Sequence, residues 1–144
     1  MADTATETRP ATDLEAAAQR GVVPYIGLGG RAAEAADFYA RAFGAEDAGR
    51  AEWDEKPGQL MHCALVINGG GVMLTDCVAP GEPQVKPQGF HLQLVVRDGD
   101  AWWNRAVEAG CKVMMPFEKM FWGDRWGMLE DPFGISWAID ETAG

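Results

Sequence analysis

Hydrogen-bonding side chains alternate with apolar ones in two short segments of the sequence. Tyr25 precedes Ile26, and His91 and Gln93 flank Leu92. Alternate residues of a strand point to opposite faces of a sheet, so the hydroxyl, imidazole and amide groups are expected on one face. A few polar groups among apolar walls are typical of a small-molecule pocket. These groups could also satisfy one another without a ligand, or transfer protons, with His91 as acid or base and Tyr25 as its partner.

A second candidate group lies nearer the C-terminus and combines aromatic rings with a cation. Phe121, Trp122 and Trp126 surround Arg125 in the sequence, and Trp137 is expected close to them. Buried rings usually belong to a core, but rings that line a cleft favour a planar or amphipathic ligand. The Arg125 guanidinium could bind an anionic group of that ligand, or it could be neutralised by carboxylates nearby in the sequence. Those carboxylates are Asp124, Glu130 and Asp131.

The composition predicts one folded domain and excludes several classes of partner. The chain has 144 residues, of which 47% are hydrophobic and 24% charged, enough for a single core. With 12 basic and 22 acidic residues the net charge is −10, the wrong sign for binding nucleic acid or an anionic membrane surface. No signal-peptide pattern or membrane-length apolar run is present, so a cytoplasmic location is expected. Three cysteines without a C-x-x-C pair are expected to be reduced thiols.

Apolar periodicity and turn residues divide the chain into two similar units. The first is predicted to contain a strand at 22–26, a helix at 32–43 and strands at 60–67 and 72–75. The second is predicted to contain a strand at 90–96, a helix at 101–109 and strands at 112–115, 125–130 and 135–139. The helices end at Gly44 and Gly110, which are 66 positions apart. The same offset relates Tyr25 to His91, so the chain is interpreted as an internal duplication.

This duplication predicts the fold class and the domain boundaries. We expect an α+β fold in which two β-α-β-β-β modules form curved sheets around a concave cleft, with the helices outside. The later hairpins differ by 63 positions, so the second copy has lost a few residues in a loop. The expected segments are a flexible tail plus a short helix at 1–21, modules at 22–76 and 90–140, and a linker at 77–89.

Two motifs in the second module resemble those of a known superfamily. They are the run Phe121-Trp122-Gly123-Asp124-Arg125-Trp126-Gly127 and the hairpin segment Glu130-Asp131-Pro132-Phe133-Gly134-Ile135-Ser136-Trp137. Together with the repeat, they resemble the vicinal-oxygen-chelate superfamily of glyoxalases, bleomycin-resistance proteins and extradiol dioxygenases, and its PhnB-like branch in particular. The resemblance implies a glyoxalase-like fold and a homodimer. It specifies the chemistry less well, because the superfamily includes metal enzymes and metal-free binding proteins.

The resemblance also implies four positions at which such enzymes usually hold a divalent metal. The first-strand positions fall on Tyr25 and His91. The last-strand positions fall on Ala138 and on one residue of the segment 73–75. Only His91 is a usual ligand, and a catalytic site needs about three. Asp76 would reach the site only if its strand slipped by one residue, and His62 lies on a neighbouring strand.

A competing prediction comes from the G-x-G-x-x-A segment at 27–32, between a predicted strand and a helix. Such a loop can bind a dinucleotide, with Glu52 or Asp54 near the spacing of a ribose ligand. That fold requires repeated β-α-β units, whereas short strands without helices follow here. The loop is therefore expected to serve only the bend from strand to helix.

The sequence thus predicts a PhnB-like small-molecule-binding protein without a complete catalytic metal site or other cofactor. The alternatives are a metal-dependent lyase, isomerase or oxygenase of the same superfamily, and a nucleotide-binding protein that uses the segment 27–32. The expected ligand is a small amphipathic or planar molecule. The predicted ligand-binding residues are Tyr25, His62, His91, Gln93, Phe121, Trp122, Arg125 and Trp126.

Overall fold

The computed structural model describes residues 12–77 and 86–143 and contains three helices and eight strands within them. The first module follows helix α1 (Asp13–Ala18) and consists of β1 (Tyr25–Gly27), α2 (Ala32–Phe43), β2 (Glu46–Glu52), β3 (Leu60–Ile67) and β4 (Gly70–Thr75). The second consists of β5 (Leu92–Val96), α3 (Gly99–Ala109), β6 (Lys112–Lys119), β7 (Arg125–Glu130) and β8 (Ser136–Glu141). The predicted tail and most of the predicted linker lie outside the described residues.

The two modules share one topology, which confirms the predicted α+β class and the duplication. The strand order is β1-β4-β3-β2 in the first sheet and β5-β8-β7-β6 in the second. In each sheet the first strand is parallel to the last strand of its module and the other neighbours are antiparallel. The sheets are not closed into one barrel. The β3–β4 turn of the first sheet meets the edge strand β5 of the second, where the Asn68 amide donates to the carbonyl of Val95 at 3.0 Å.

Strand register locates the loop in which the second module has lost residues. Ala64 opposes Met73, and Glu130 opposes Ser136 at the corresponding place in the second sheet. The offset is therefore 66 between β3 and β7 but 63 between β4 and β8, so the loss lies in the hairpin that joins them. His62 consequently corresponds to Met128. Arg125 lies 63 positions after His62 but is not its counterpart, because the 63 offset applies only after the hairpin.

The same register identifies the last-strand position of the first module. Gly27 opposes Thr75 and Gln93 opposes Ala138 in the two parallel pairs. Thr75 is therefore the counterpart of Ala138. Its hydroxyl donates to the carbonyl of Met61 at 2.7 Å.

The sequence pattern did not locate β2. This strand is an edge strand of the first sheet and is mostly exposed, so no apolar alternation marks it. The outer strand of the second sheet, β6, was predicted only as far as Met115 and extends to Lys119.

The hydrophobic core joins the two modules behind their sheets. Helix α2 is buried along one face and ends at Gly44, whose φ of 67° suits a left-handed cap. The rings of Tyr39 and Phe43 pack on Trp137 of the second sheet, with ring centroids 5.3 and 4.5 Å away. The buried Asp131 carboxylate accepts from the Tyr39 hydroxyl at 2.6 Å and from the Trp137 indole at 2.9 Å. Trp137 therefore belongs to this core and not to the predicted cluster with the other aromatic rings.

Helix α1 packs on the opposite face of the first sheet. Thr12 caps its N-terminus, since the Thr12 hydroxyl accepts from the amide of Glu15 at 3.0 Å. Ala18 is fully buried and packs on Ala64 and Val66. Gly71 is required beneath it, because a side chain there would overlap the backbone carbonyl of Ala18.

Candidate functional site

The polar residues predicted to share a face do so in each sheet, on the side away from α2 and α3. In the first sheet Tyr25 and Met73 are cross-strand partners, so the Tyr25 side chain lies on the face that α1 covers farther along. The Tyr25 hydroxyl and His62 Nδ1 form a hydrogen bond of 2.7 Å. Tyr25 is 55% exposed, so this pair lies at the open part of that face.

In the second sheet a larger polar network lies on the corresponding face. Gln93 Oε1 is 3.1 Å from His91 Nε2 and accepts from the Trp126 indole at 3.3 Å. Gln93 Nε2 donates to Asp140 Oδ2 at 3.1 Å. Strand pairing explains why the side chains of His91, Gln93, Trp126 and Asp140 meet. Gln93 on β5 opposes Ala138 on β8, and Trp126 on β7 opposes Asp140, two residues farther along β8. Gln93 is the centre of the network.

Aromatic rings extend the second-sheet face. The His91 and Trp126 rings meet edge to face with centroids 6.2 Å apart. The ring centroids of Trp122 and Trp126 are 6.4 Å apart, and those of Phe121 and Trp122 are 4.9 Å apart. Trp122 is 50% exposed and Phe121 is 97% exposed. We call the side chains of His91, Gln93, Trp122, Trp126 and Asp140 the second-sheet site.

Asp140 was not singled out from the sequence, although it is the most buried polar member of the network, at 7% exposure. Its Oδ1 is buried and accepts no hydrogen bond within residues 12–77 and 86–143. Burial raises the pKa of Asp140, and the hydrogen-bonding Asp124 carboxyl beside it raises the pKa further. Its position two residues after Ala138 on the same strand was the one sign in the sequence that Asp140 shares this face. Its neighbours Gln93 and Trp126 could not be inferred, because they depend on strand register.

Arg125 lies on the other face of the second sheet, near α3. It forms ion pairs with Asp100 at 2.8 Å and with Glu141 at 3.4 Å, and its guanidinium lies over the ring of Phe117. Neutralisation by carboxylates was one of the two interpretations of the sequence, but the partners expected for it, Asp124, Glu130 and Asp131, were wrong. The actual partners come from α3 and β8, which sequence proximity could not indicate.

The structure explains the glycine-rich loop at 27–32 without a nucleotide. The buried Asp76 carboxylate accepts from the amides of Gly30 at 2.7 Å, Ala32 at 2.9 Å and Leu60 at 2.8 Å. The amides at the start of α2, which would bind a phosphate in a dinucleotide site, therefore already have a carboxylate partner. The same contacts keep Asp76 away from the polar face, so the strand slip considered for it does not occur.

The repeated modules, each with its first strand parallel to its last, have the architecture of glyoxalase-like proteins. The chain belongs to the Glyoxalase/Bleomycin resistance protein/Dioxygenase superfamily, whose family model matches residues 28–139. The uncharacterized protein Mb0911c of Mycobacterium bovis is 40% identical over 117 residues, which are 76% of each chain. The family resemblance inferred from the sequence is thus confirmed.

Solved structures agree with this assignment. Protein PA1353 from Pseudomonas aeruginosa superposes with a TM-score of 0.71 at 27% identity, over 85% of this chain and 97% of that one. The PhnB protein from Bacillus cereus superposes with a TM-score of 0.64 at 21% identity, over 84% of this chain and 98% of that one. The second likeness is one of fold.

The donor set does not fit the divalent metal that enzymes of this superfamily usually hold. The four equivalent positions are occupied by Tyr25, Thr75, His91 and Ala138, of which one is a usual ligand. Within the described part of the chain, no group of three or more His, Cys, Asp or Glu side chains is arranged to hold a metal. None of the helices there is long and apolar enough to cross a membrane.

Proposed function

We propose that this chain is a small-molecule-binding protein of its superfamily and that the second-sheet site binds a planar amphipathic molecule without a complete catalytic metal site. The observation that carries the proposal is the network of His91, Gln93 and Trp126 beside half-exposed aromatic rings. Its polar groups would orient a ligand, and its rings would supply contact area. The Tyr25–His62 pair of the first sheet is proposed as a second contact for a ligand that spans both sheets.

The exposed rings supply most of the expected affinity. A planar ligand that covers the open half of the Trp122 side chain would remove about 100 Å² of apolar surface from water, worth about 2.5 kcal/mol. Covering Phe121 would add a similar amount. The hydrogen-bonding groups add less net free energy, because they already bond to one another and to water. We therefore expect apolar contact to set the affinity and the network to set the ligand orientation.

The proposed ligand contacts can be separated by variants. A screen of planar aromatic compounds by tryptophan fluorescence should identify a saturable ligand. Replacing Trp126 by Leu and His91 by Ala should each weaken its binding by about tenfold, because Trp126 supplies a ring contact and His91 supplies a ring contact and a polar group. Tyr25→Phe, on the other sheet, is the matched comparison and should change affinity only for a ligand long enough to span both sheets.

Two results would contradict this proposal. The first is a loss of stability in His91→Ala as large as that of a core variant, which would indicate that the network exists to satisfy itself. The second is one equivalent of divalent metal per chain, measured by elemental analysis after purification without chelator. That result would favour the enzyme alternative.

We also propose a homodimer, as is frequent in this superfamily. The support is strand β6, where Val113, Met114 and Met115 are 45–48% exposed on an edge strand. A second copy would remove this apolar surface from water. Light scattering should give twice the chain mass, and Met114→Glu should reduce it to the mass of one chain. A monomeric wild-type protein would contradict the proposal.

A further inference from the structure

The orientation of the Gln93 side-chain amide follows from its neighbours. An indole N–H can only donate a hydrogen bond, so the Gln93 atom that faces Trp126 must be the carbonyl oxygen. The amide nitrogen then faces Asp140 Oδ2, which accepts from it at 3.1 Å. An Asp140 carboxyl protonated on its other oxygen would still accept this bond. Trp126 and Asp140 therefore fix the same orientation from opposite sides.

This orientation determines which nitrogen of His91 carries the proton. Gln93 Oε1 has no hydrogen to donate, so the bond of 3.1 Å to His91 Nε2 requires a proton on Nε2. In the neutral ring the other nitrogen, Nδ1, is then an acceptor. The exposed His91 makes no other hydrogen bond within the described residues. Gln93 is thus a positioning residue that leaves an acceptor beside the exposed rings.

We infer that the second-sheet site selects planar molecules that donate a hydrogen bond, through an N–H or O–H group directed at His91 Nδ1. This inference rests on the proposed function, because it assigns the ligand class of the same site. The surroundings agree with it. The Asp140 carboxyl belongs to the network and has the Asp124 carboxyl beside it, whereas the nearby cation Arg125 is paired on the opposite face. An acceptor-only or anionic ligand group would therefore find no partner at His91.

The tautomer can be measured without any ligand. The chain contains two histidines, so the variant His62→Gln leaves His91 as the only source of imidazole signals. Long-range nitrogen–proton NMR spectra, recorded above the pH at which the His91 signals stop shifting, distinguish the protonated ring nitrogen from the unprotonated one. We expect the proton on Nε2. A proton on Nδ1, or an equal mixture, would overturn the inference. Gln93→Leu should convert the Nε2 form into a mixture.

Indole and benzofuran test the ligand class, because they have nearly the same shape and differ in that indole has an N–H donor where benzofuran has an ether oxygen. Titrations followed by the His91 ring signals should show indole binding about threefold to tenfold more tightly, the effect of one hydrogen bond. Gln93→Leu should reduce this ratio toward one. Equal binding of the two compounds to the wild-type protein would overturn the inference while leaving the proposed function intact. If neither compound shifts the His91 signals, the proposed function fails and the ligand class fails with it.

Discussion

Asp131 links the two modules, and its replacement by Asn should be costly. Its Oδ1 accepts from the amides of Phe133 and Ile135 at 2.9 and 3.0 Å. Its Oδ2 accepts from the Tyr39 hydroxyl and the Trp137 indole. Asn has a single oxygen, so two of these four donors must face an NH2 group. The better orientation points the Asn oxygen at the two loop amides and the NH2 group at Tyr39 and Trp137. In that orientation Tyr39 can accept a hydrogen bond from the NH2 group, whereas the Trp137 N–H cannot.

The magnitude follows from this mismatch. Trp137 is 1% exposed, so its N–H would lose the Asp131 acceptor without gaining water, a cost of about 1–3 kcal/mol. The two loop bonds would lose their charge assistance, at a cost of about 1 kcal/mol. The lower desolvation cost of a neutral side chain offsets part of this. The net loss in the free energy of unfolding is about 2–3 kcal/mol, which lowers Tm by about 5–12 °C in a chain of this size.

Thermal and urea unfolding would measure this loss, with Asp54→Asn as the control at an exposed carboxylate. The double variant with Trp137→Phe separates the mismatch from other effects, because it removes the donor that Asn leaves unsatisfied. We expect Asp131→Asn and Trp137→Phe together to cost about 1–2 kcal/mol less than the sum of the single substitutions. A Tm for Asp131→Asn within about 2 °C of the control would refute this reasoning.

Three further predictions concern charge, packing and thiol reactivity. Because the pKa of Asp140 is raised on folding, the contribution of Asp140 to the free energy of unfolding should fall as pH rises from about 4 through its folded pKa. Urea titrations should therefore show the stability of the wild type falling relative to that of Asp140→Asn over this range, and a difference that does not change with pH would contradict the prediction. Gly71→Ala should lower the free energy of unfolding, measured in urea, by about 1–3 kcal/mol, because the added methyl group displaces α1. Gly70→Ala is the control and should be nearly neutral, because a methyl group there would meet its nearest neighbour at an ordinary 3.7 Å. Equal effects of the two substitutions would contradict the packing described. Cys77 is exposed, whereas burial raises the pKa of the Cys63 thiol to about 11, so a thiol reagent at about pH 8 should modify one cysteine quickly and the two buried ones only after unfolding.

The fold was largely predictable because local signals agreed with one another. The apolar spacing and Gly44 predicted both ends of α2. The turn residues at Asn68 and Gly69 predicted the first hairpin, and both have a positive φ in the structure. Strand β2 was not predictable, because an exposed edge strand buries too little to carry an apolar pattern. The repeat predicted equivalent modules before any strand pairing was known.

The candidate site was predictable only in part. Strand alternation predicted that His91 and Gln93 share one face, and both side chains belong to the second-sheet network. The roles of Asp140 and Arg125 depend on residues far away in the sequence, namely Gln93 and Asp100. Strand register and β-bulges decide which of two neighbouring strand residues faces the network. The order of residue types along one strand reveals neither of them.

Helix α1 makes the two copies of the ancestral repeat unequal. On the first sheet, Ala64 and Val66 lie under the helix and Gly71 has no room for a side chain, so substitutions there are limited by packing within the chain itself. On the second sheet, Val95 and Trp122 remain about half exposed, so the open part of each side chain is limited by what approaches from outside. Natural selection can therefore conserve one half as scaffold while it adapts the other.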